Sequence, residues 1–178
     1  MNPIHIRSAT PQDIPAITAI YDHAVRFGTA TFEIDPPDAA EMAKRHQRIV
    51  TGGFPFLAAE QDGRVIGYAY ADLYRVRPGY RYTVEDSIYL APDAQGRGTG
   101  TRLLQTLIAQ CEALGFRQMI AVIGDAANQS SIRLHARAGF TPSGSFTQVG
   151  FKFGRWVDTV LMQRALGAGG TTLPGTPG

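Results

Sequence analysis

The sequence predicts an α/β fold, a mixed central β-sheet of about seven strands flanked by helices on both faces. Three observations carry that prediction. The apolar period switches between two and three-to-four residues along the chain, in the order β-α-α-β-β-β-α-β-α-β-β. A glycine-rich run, Gln95-Gly96-Arg97-Gly98-Thr99-Gly100, follows an apolar strand-like stretch and opens a long amphipathic helix. Residues 119–123 form a short, unbroken apolar run of the kind buried on both faces.

Taken in order, Ile4-His5-Ile6-Arg7 alternates as a short strand. Thr10-Pro11-Gln12-Asp13 supplies a capping residue, a proline at the first helical position and an acid at the third. Ile14, Ile17, Ile20, Tyr21, Ala24 and Val25 continue as one helical stripe. Asp35-Pro36-Pro37 starts a second helix to about Val50, which Gly52-Gly53 ends. Residues 56–60 and 65–74 are paired strands around the tight turn Asp62-Gly63. A loop, Arg75-Val76-Arg77-Pro78-Gly79, leads to a strand over 80–90. The helix after the glycine run spans about 98–114, with Leu103, Leu104, Leu107, Ile108 and Cys111 on its apolar face. Asn128 caps a helix that stops at Gly139, and 140–165 gives two final strands.

A chain of 178 residues that is 44% hydrophobic suits one domain with a sizeable core, here 1–166. Residues 167–178, rich in Gly, Thr and Pro, have little to bury and read as a disordered tail. A formal net charge of +2 without a polybasic tract argues against nucleic acid as a partner. The single cysteine, Cys111, excludes an intramolecular disulfide framework and a cysteine-based metal cluster. His5, His23 and His46 show no metal-ligand spacing, so no metal is expected. No apolar run has the length of a membrane span and the N-terminus lacks a signal-peptide core, which makes a cytoplasmic protein the default.

Gly96, Gly98 and Gly100 let the backbone approach a ligand, and the helix start adds free N–H groups and partial positive charge. That is a cradle for a pyrophosphate, although a glycine turn that merely starts a helix has the same letters. A P-loop would close on Gly-Lys-Ser/Thr, whereas Thr101 and Arg102 follow Gly100. A dinucleotide fingerprint expects G-x-G-x-x-G at the first strand-helix turn, which differs in spacing and place. Gln95, Gly98 and Gly100 resemble the Q-x-x-G-x-G/A loop of the Gcn5-related N-acetyltransferases (GNAT), which holds acetyl-CoA. Asn128-x-x-Ser131-x-x-Leu134-His135-x-x-x-Gly139-Phe140 resembles that superfamily's second cofactor element, in the right order and about thirty residues on.

Several stretches are similar to a narrower branch, the phosphinothricin and methionine sulfoximine N-acetyltransferases. They are Thr29-Ala30-Thr31-Phe32-Glu33, Tyr82-Thr83-Val84-Glu85-Asp86-Ser87-Ile88-Tyr89-Leu90, Ala121-Val122-Ile123-Gly124, Ser131-Ile132-Arg133-Leu134-His135 and Val149-Gly150-Phe151-Lys152-Phe153-Gly154-Arg155-Trp156-Val157-Asp158. The resemblance covers nearly everything from Ile4 to Leu166 and implies a GNAT fold, acetyl-CoA as co-substrate and a homodimer. It also implies direct acetylation of the α-amine of a small amino acid bearing a tetrahedral sulfur or phosphorus group. Acetylation of a polyamine or of a protein, and a non-catalytic acyl-CoA sensor, are the competing readings.

An α-ammonium must lose a proton before it attacks a thioester, and Glu85 is the candidate base. Along its strand Val84, Asp86, Ile88 and Leu90 share one face, with Glu85, Ser87 and Tyr89 on the other. An ion pair with Arg81 is the structural alternative for Glu85. By the resemblance His135 stands where many relatives have a tyrosine that protonates the leaving thiolate; acid, auxiliary base and orienter all stay open for it. The resemblance also assigns Ile88, Tyr89 and Leu90 to the pantetheine arm, and Gln95, Gly96, Arg97, Gly98, Thr99, Gly100 and Arg102 to the pyrophosphate. Asn128 and Ser131, which share a helix face with His135, complete the cofactor set. Arg75, Arg77 and Arg81 could hold the acceptor's carboxylate and oxyanion, with Phe32 and Tyr80 as pocket walls. Lys152, Trp156 and Asp158 sit on the late hairpin, which in this branch shapes the site and the dimer.

Overall fold

The computed structural model describes residues 2–175. Seven strands form one sheet: β1 (His5–Ser8), β2 (Phe56–Gln61), β3 (Arg64–Leu73), β4 (Thr83–Leu90), β5 (Gln118–Gly124), β6 (Thr141–Lys152) and β7 (Arg155–Ala165). Their spatial order is β1-β2-β3-β4-β5-β7-β6. Every neighbouring pair is antiparallel except β4 and β5, which are parallel. Four α-helices accompany them: α1 (Ile14–Phe27), α2 (Ala39–Thr51), α3 (Thr99–Ala113) and α4 (Gln129–Arg137). The α/β expectation of a mixed sheet with helices therefore holds.

Strand alternation divides the sheet into two packed faces. Phe56, Tyr68, Tyr70 and Tyr89 point toward α1 and α2, where Tyr21 meets Tyr89 edge-on at 4.9 Å and His46 meets Phe56 at 4.9 Å. The opposite face is built from small residues. Gly67 packs so closely that an added Cβ would lie 2.5 Å from Leu90 and 3.3 Å from Leu103 of α3. Leu103, Leu104, Leu107 and Cys111 are fully buried there, as the helical stripe predicts. Burial and then the charge of Asp86 push the Cys111 thiol up to about 12, so it is an inert core residue.

Boundaries move where capping decides them. The second helix begins at Ala39, two residues after Pro37, because Asp38 is the residue whose carboxylate accepts the Glu41 N–H, at 2.8 Å. The strand expected from Tyr80 begins at Thr83, since residues Pro78–Tyr80 coil into a 3-10 turn. Asp13 takes the Thr10 N–H at 2.7 Å and both terminal nitrogens of Arg7, which holds its carboxyl down at about 2. The segment expected to be a disordered tail starts with turns tied to the domain. Arg117 donates to the Gly169 carbonyl at 2.9 Å and to Thr172. Residues 176–178 of that expected tail lie outside the described residues. Among the described residues no helix is long and apolar enough to cross a membrane.

Candidate active site

The site begins with a fork in the sheet. β4 and β5 pair over only four positions, from Thr83 opposite Gln118 to Asp86 opposite Ala121. Beyond Asp86 the two strands part. Ser87 to Leu90 keep β3 as a partner, and Val122 to Gly124 keep β7, but neither set pairs with the other. The facing edge of β4 thus leaves main-chain N–H and C=O groups open to a ligand. A cleft of about 280 Å³ fills the fork, lined by Glu85, Asp86, Ser87, Ile88, Tyr89, Asn128, Ser131 and His135, with Ala30, Thr31 and Phe32 as its outer wall.

A second, larger groove of about 570 Å³ joins it, sharing Ala30, Ile88, Tyr89, Asn128 and Ser131. It runs past Leu90 to Gln95, Gly96, Gly98 and Gly100. Gly98, at the N-cap of α3, has φ +81°, a left-handed conformation that keeps a side chain out of the groove mouth. The opposite bank carries Ser130, Arg133 and Arg137 of α4, and His23 and Phe27 of α1. These residues were not singled out in the sequence, because nothing local shows that α1 reaches the glycine loop. Thr99 is fully buried, its hydroxyl donates to the Ala94 carbonyl, and it does not line the groove. Arg97 and Arg102 flank the loop without lining the groove.

Glu85 is the one carboxylate in the fork without a hydrogen bond or ion pair among the described residues. Burial, then the neighbouring Asp86 carboxylate, raise it from 4.5 to about 7, while Arg75 pulls the other way. The ion pair with Arg81 does not form. Arg81 lies over the Tyr82 ring at 4.7 Å and donates to the Pro78 carbonyl at 3.2 Å.

His135 lies on the other face of β4. Its side chain is 3% exposed, and Nε2 stands 3.0 Å from an oxygen of Asp86, itself 1% exposed. Nδ1 stands 2.8 Å from the Ser131 carbonyl. The Ser131 carbonyl can only accept, so Nδ1 donates, and a proton on Nε2 as well would make the ring an imidazolium paired with Asp86. Burial opposes that charge, but Asp86 and the Ser131 carbonyl outweigh it and raise the ring above its ordinary value. Neither nitrogen is left to face a reactant. The alternation along the strand places Asp86 on this face without giving it a role, although an acid on the inward face of a central strand is a usable signal.

The acceptor-side residues divide. Phe32 lines the cleft; Arg75, Arg77, Arg81, Tyr80 and Lys152 do not. Arg75 stacks 5.0 Å above Tyr74, whose ring meets Tyr80 edge-on at 5.7 Å. Lys152 is buried and donates to the Thr31 carbonyl at 2.8 Å, and burial lowers its pKa. It works on the wall of the cleft rather than in it. The same wall is held by Tyr21 to Thr31 at 2.9 Å and by Thr29 to Asp125 at 3.1 Å, with Arg155 on the far side of Asp125. Asp158 accepts the Gln148 N–H at 2.8 Å and Trp156 is exposed, so both belong to the hairpin rather than the cleft.

A sheet forked at its one parallel pair, with a glycine cradle beside the fork, defines an acyl-CoA-dependent transferase fold. The Acetyltransferase (GNAT) family matches residues 17–140, and the chain belongs to that family of N-acetyltransferases. It is 57% identical over 169 residues to phosphinothricin N-acetyltransferase of Alcaligenes faecalis, covering 95% of this chain and 86% of that one. It is 43% identical to an L-methionine sulfoximine/L-methionine sulfone acetyltransferase of Pseudomonas aeruginosa, covering 89% and 92%. Among solved structures, a GNAT superfamily phosphinothricin acetyltransferase from Sinorhizobium meliloti in complex with acetyl-CoA superimposes with a TM-score of 0.94. That pair shares 50% identity over 97% of this chain and 93% of the other.

Proposed function

We propose that this chain transfers an acetyl group from acetyl-CoA directly, in a ternary complex, to the α-amine of a small amino acid such as phosphinothricin, methionine sulfoximine or methionine sulfone. One observation carries the chemistry: an unpaired carboxylate, Glu85, lines the cleft that the glycine-edged groove joins. The similarity to two enzymes named for such acceptors supports the substrate class.

The groove fits the co-substrate. Gln95, Gly96, Gly98 and Gly100 border it at the start of α3, where free N–H groups suit a pyrophosphate, with Arg97 and Arg102 adding charge. The open β4 edge at Ile88, Tyr89 and Leu90 offers main-chain partners to a pantetheine arm, and Asn128 and Ser131 face it from α4. Acetyl-CoA supplies an activated thioester there. Glu85 takes the proton of the acceptor's ammonium, which an ordinary carboxylate, ionising near 4.5, does poorly. His135, with both nitrogens committed, orients the site rather than exchanging protons with the substrate. Of Arg75, Arg77 and Arg81, none of which lines the cleft, Arg75 is the candidate for the acceptor's anionic groups because its charge already acts on Glu85. Phe32 supplies an apolar wall, and Lys152 acts through Thr31.

The active form is a homodimer, supported by five large side chains more than half exposed on the β6–β7 hairpin: Phe146, Val149, Phe151, Phe153 and Trp156. A reaction that consumes acetyl-CoA suits the cytoplasm. Thiol release from acetyl-CoA, with methionine sulfoximine, phosphinothricin, methionine sulfone, spermidine and common amino acids as acceptors, tests the reading. Saturable turnover with the tetrahedral compounds, lost by roughly 10²–10⁴-fold in Glu85→Gln with acetyl-CoA binding intact, is the expected result. Turnover with spermidine alone would overturn the acceptor class, and an active Glu85→Gln would remove the base.

A further inference from the structure

The Asp86–His135 pair sits at the vertex of the fork, where both residues line the cleft and neither lines the cofactor groove. Asp86 is the last β4 residue paired with β5. Its neighbours across the sheet are Ala71 and Ala121, both buried, so it stands in an apolar layer made roomy by small side chains. Among the described residues His135 is its single side-chain hydrogen-bond partner, and the other oxygen, Oδ1, has none. The ring is fixed from two further sides, by the Ser131 carbonyl at 2.8 Å and by Phe140, edge-on at 5.1 Å. A buried ion pair contributes little net stability, and one with an unsatisfied oxygen contributes less. What it does supply is placement, since a charged pair has one good geometry where an apolar pair has several.

We propose that Asp86 is a positioning residue for acetyl transfer: it clamps the doubly protonated His135 ring across the fork vertex and thereby fixes the β4 backbone from which Glu85 projects to the opposite face. The inference rests on Glu85 being the base. Asp86 has a second, electrostatic effect on that base. Glu85 is faced by Asp86 on its own strand, by Asp72 and Tyr70 of β3 and by Arg75 of the following loop. On the other side of the sheet Asp86 faces His135 of α4 and Cys111 of α3. Of the carboxylates near Glu85, Asp86 acts on it most strongly, ahead of Asp72.

Two measurements decide it. Ring-nitrogen NMR of the wild-type protein should find both His135 nitrogens protonated at pH 7.5, about one unit above an ordinary histidine's midpoint. A neutral ring there, with one bare nitrogen, overturns the proposal whatever any variant does. Asp86→Asn should lower kcat by roughly tenfold to a hundredfold with the Kd for acetyl-CoA unchanged. It should also move the acid limb of kcat/KM down by about one pH unit. A folded Asp86→Asn with the wild-type rate and pH profile overturns it as well. Glu85→Gln, run in parallel, separates the two readings. Full activity there removes the base, whereas an inactive Glu85→Gln beside a wild-type-like Asp86→Asn removes Asp86 alone.

Discussion

Burial and Asp86 raise the Glu85 carboxyl to about 7, which bears on stability and, if Glu85 is the base we propose, on rate. As the proposed base, Glu85 is ionised only above that value, so kcat/KM should rise with pH through about 7, where an unshifted carboxylate would have levelled off below 6. The effect on folding has the opposite sense. Because the folded pKa lies above the unfolded one, the folded chain binds this proton more tightly, and its contribution to stability is full below about 4.5. That contribution is lost as pH rises through about 7. Glu85→Gln removes the buried charge while nearly preserving shape. It should therefore raise the melting temperature by about 2–4 °C at pH 8 and leave it almost unchanged at pH 4.5, as read by scanning calorimetry. Equal shifts at both pH values would mean that the carboxylate is not held protonated by the fold.

At the scale of elements, the outer wall of the cleft depends on two glycines from other strands. A Cβ on Gly124 of β5 would collide with the Thr29 carbonyl, and one on Gly150 of β6 would lie 2.7–2.9 Å from three atoms of the Phe32 ring. The loop from Thr29 to Glu33 can therefore press against the sheet only where side chains are missing. Lys152, Tyr21 and the Arg155–Asp125 pair then hold it there. Gly150→Ala should push Phe32 toward the acceptor. The expected result is a several-fold higher KM for the acceptor, an unchanged Kd for acetyl-CoA and a loss of about 1–3 kcal/mol in urea unfolding. An unchanged KM with lowered stability would show that Phe32 does not wall the acceptor.

For the whole molecule, the decisive feature is the hairpin of β6 and β7. β6 is twelve residues long, lies at the sheet edge, and is exposed over most of its length. Its irregular pairing between Phe146 and Gly150 twists it, yet it still presents Phe146, Val149, Phe151 and Phe153, with Trp156 paired across from Phe151. An edge strand with this much apolar surface needs a cover. A second copy is the cover we propose, so Trp156→Asp should give a monomer by sedimentation equilibrium with native circular dichroism. Both proteins sedimenting as monomers would remove the dimer. Gly150 and Lys152 lie on this same strand, so the monomer should also show a raised KM for the acceptor.

Much of this was legible from local pattern. Apolar period, caps and turn residues specify helices and strands because they act over a few neighbouring residues. The glycine loop after a strand, and Glu85 on an alternating strand, were readable in the same way. Capping shifted only the edges, as Asp38 did for α2. Relations between distant residues needed the fold. Asp86 meets His135 across 49 positions, and Lys152 meets Thr31 across 121. No local period encodes either contact, since each depends on sheet order and register. The fork belongs to the same class. The sequence by itself determined which residues could carry charge, cradle a phosphate or bend the chain. The fold parted β4 from β5 after four pairs, leaving Glu85 unpaired in the cleft and setting its neighbour Asp86 against the His135 ring behind it.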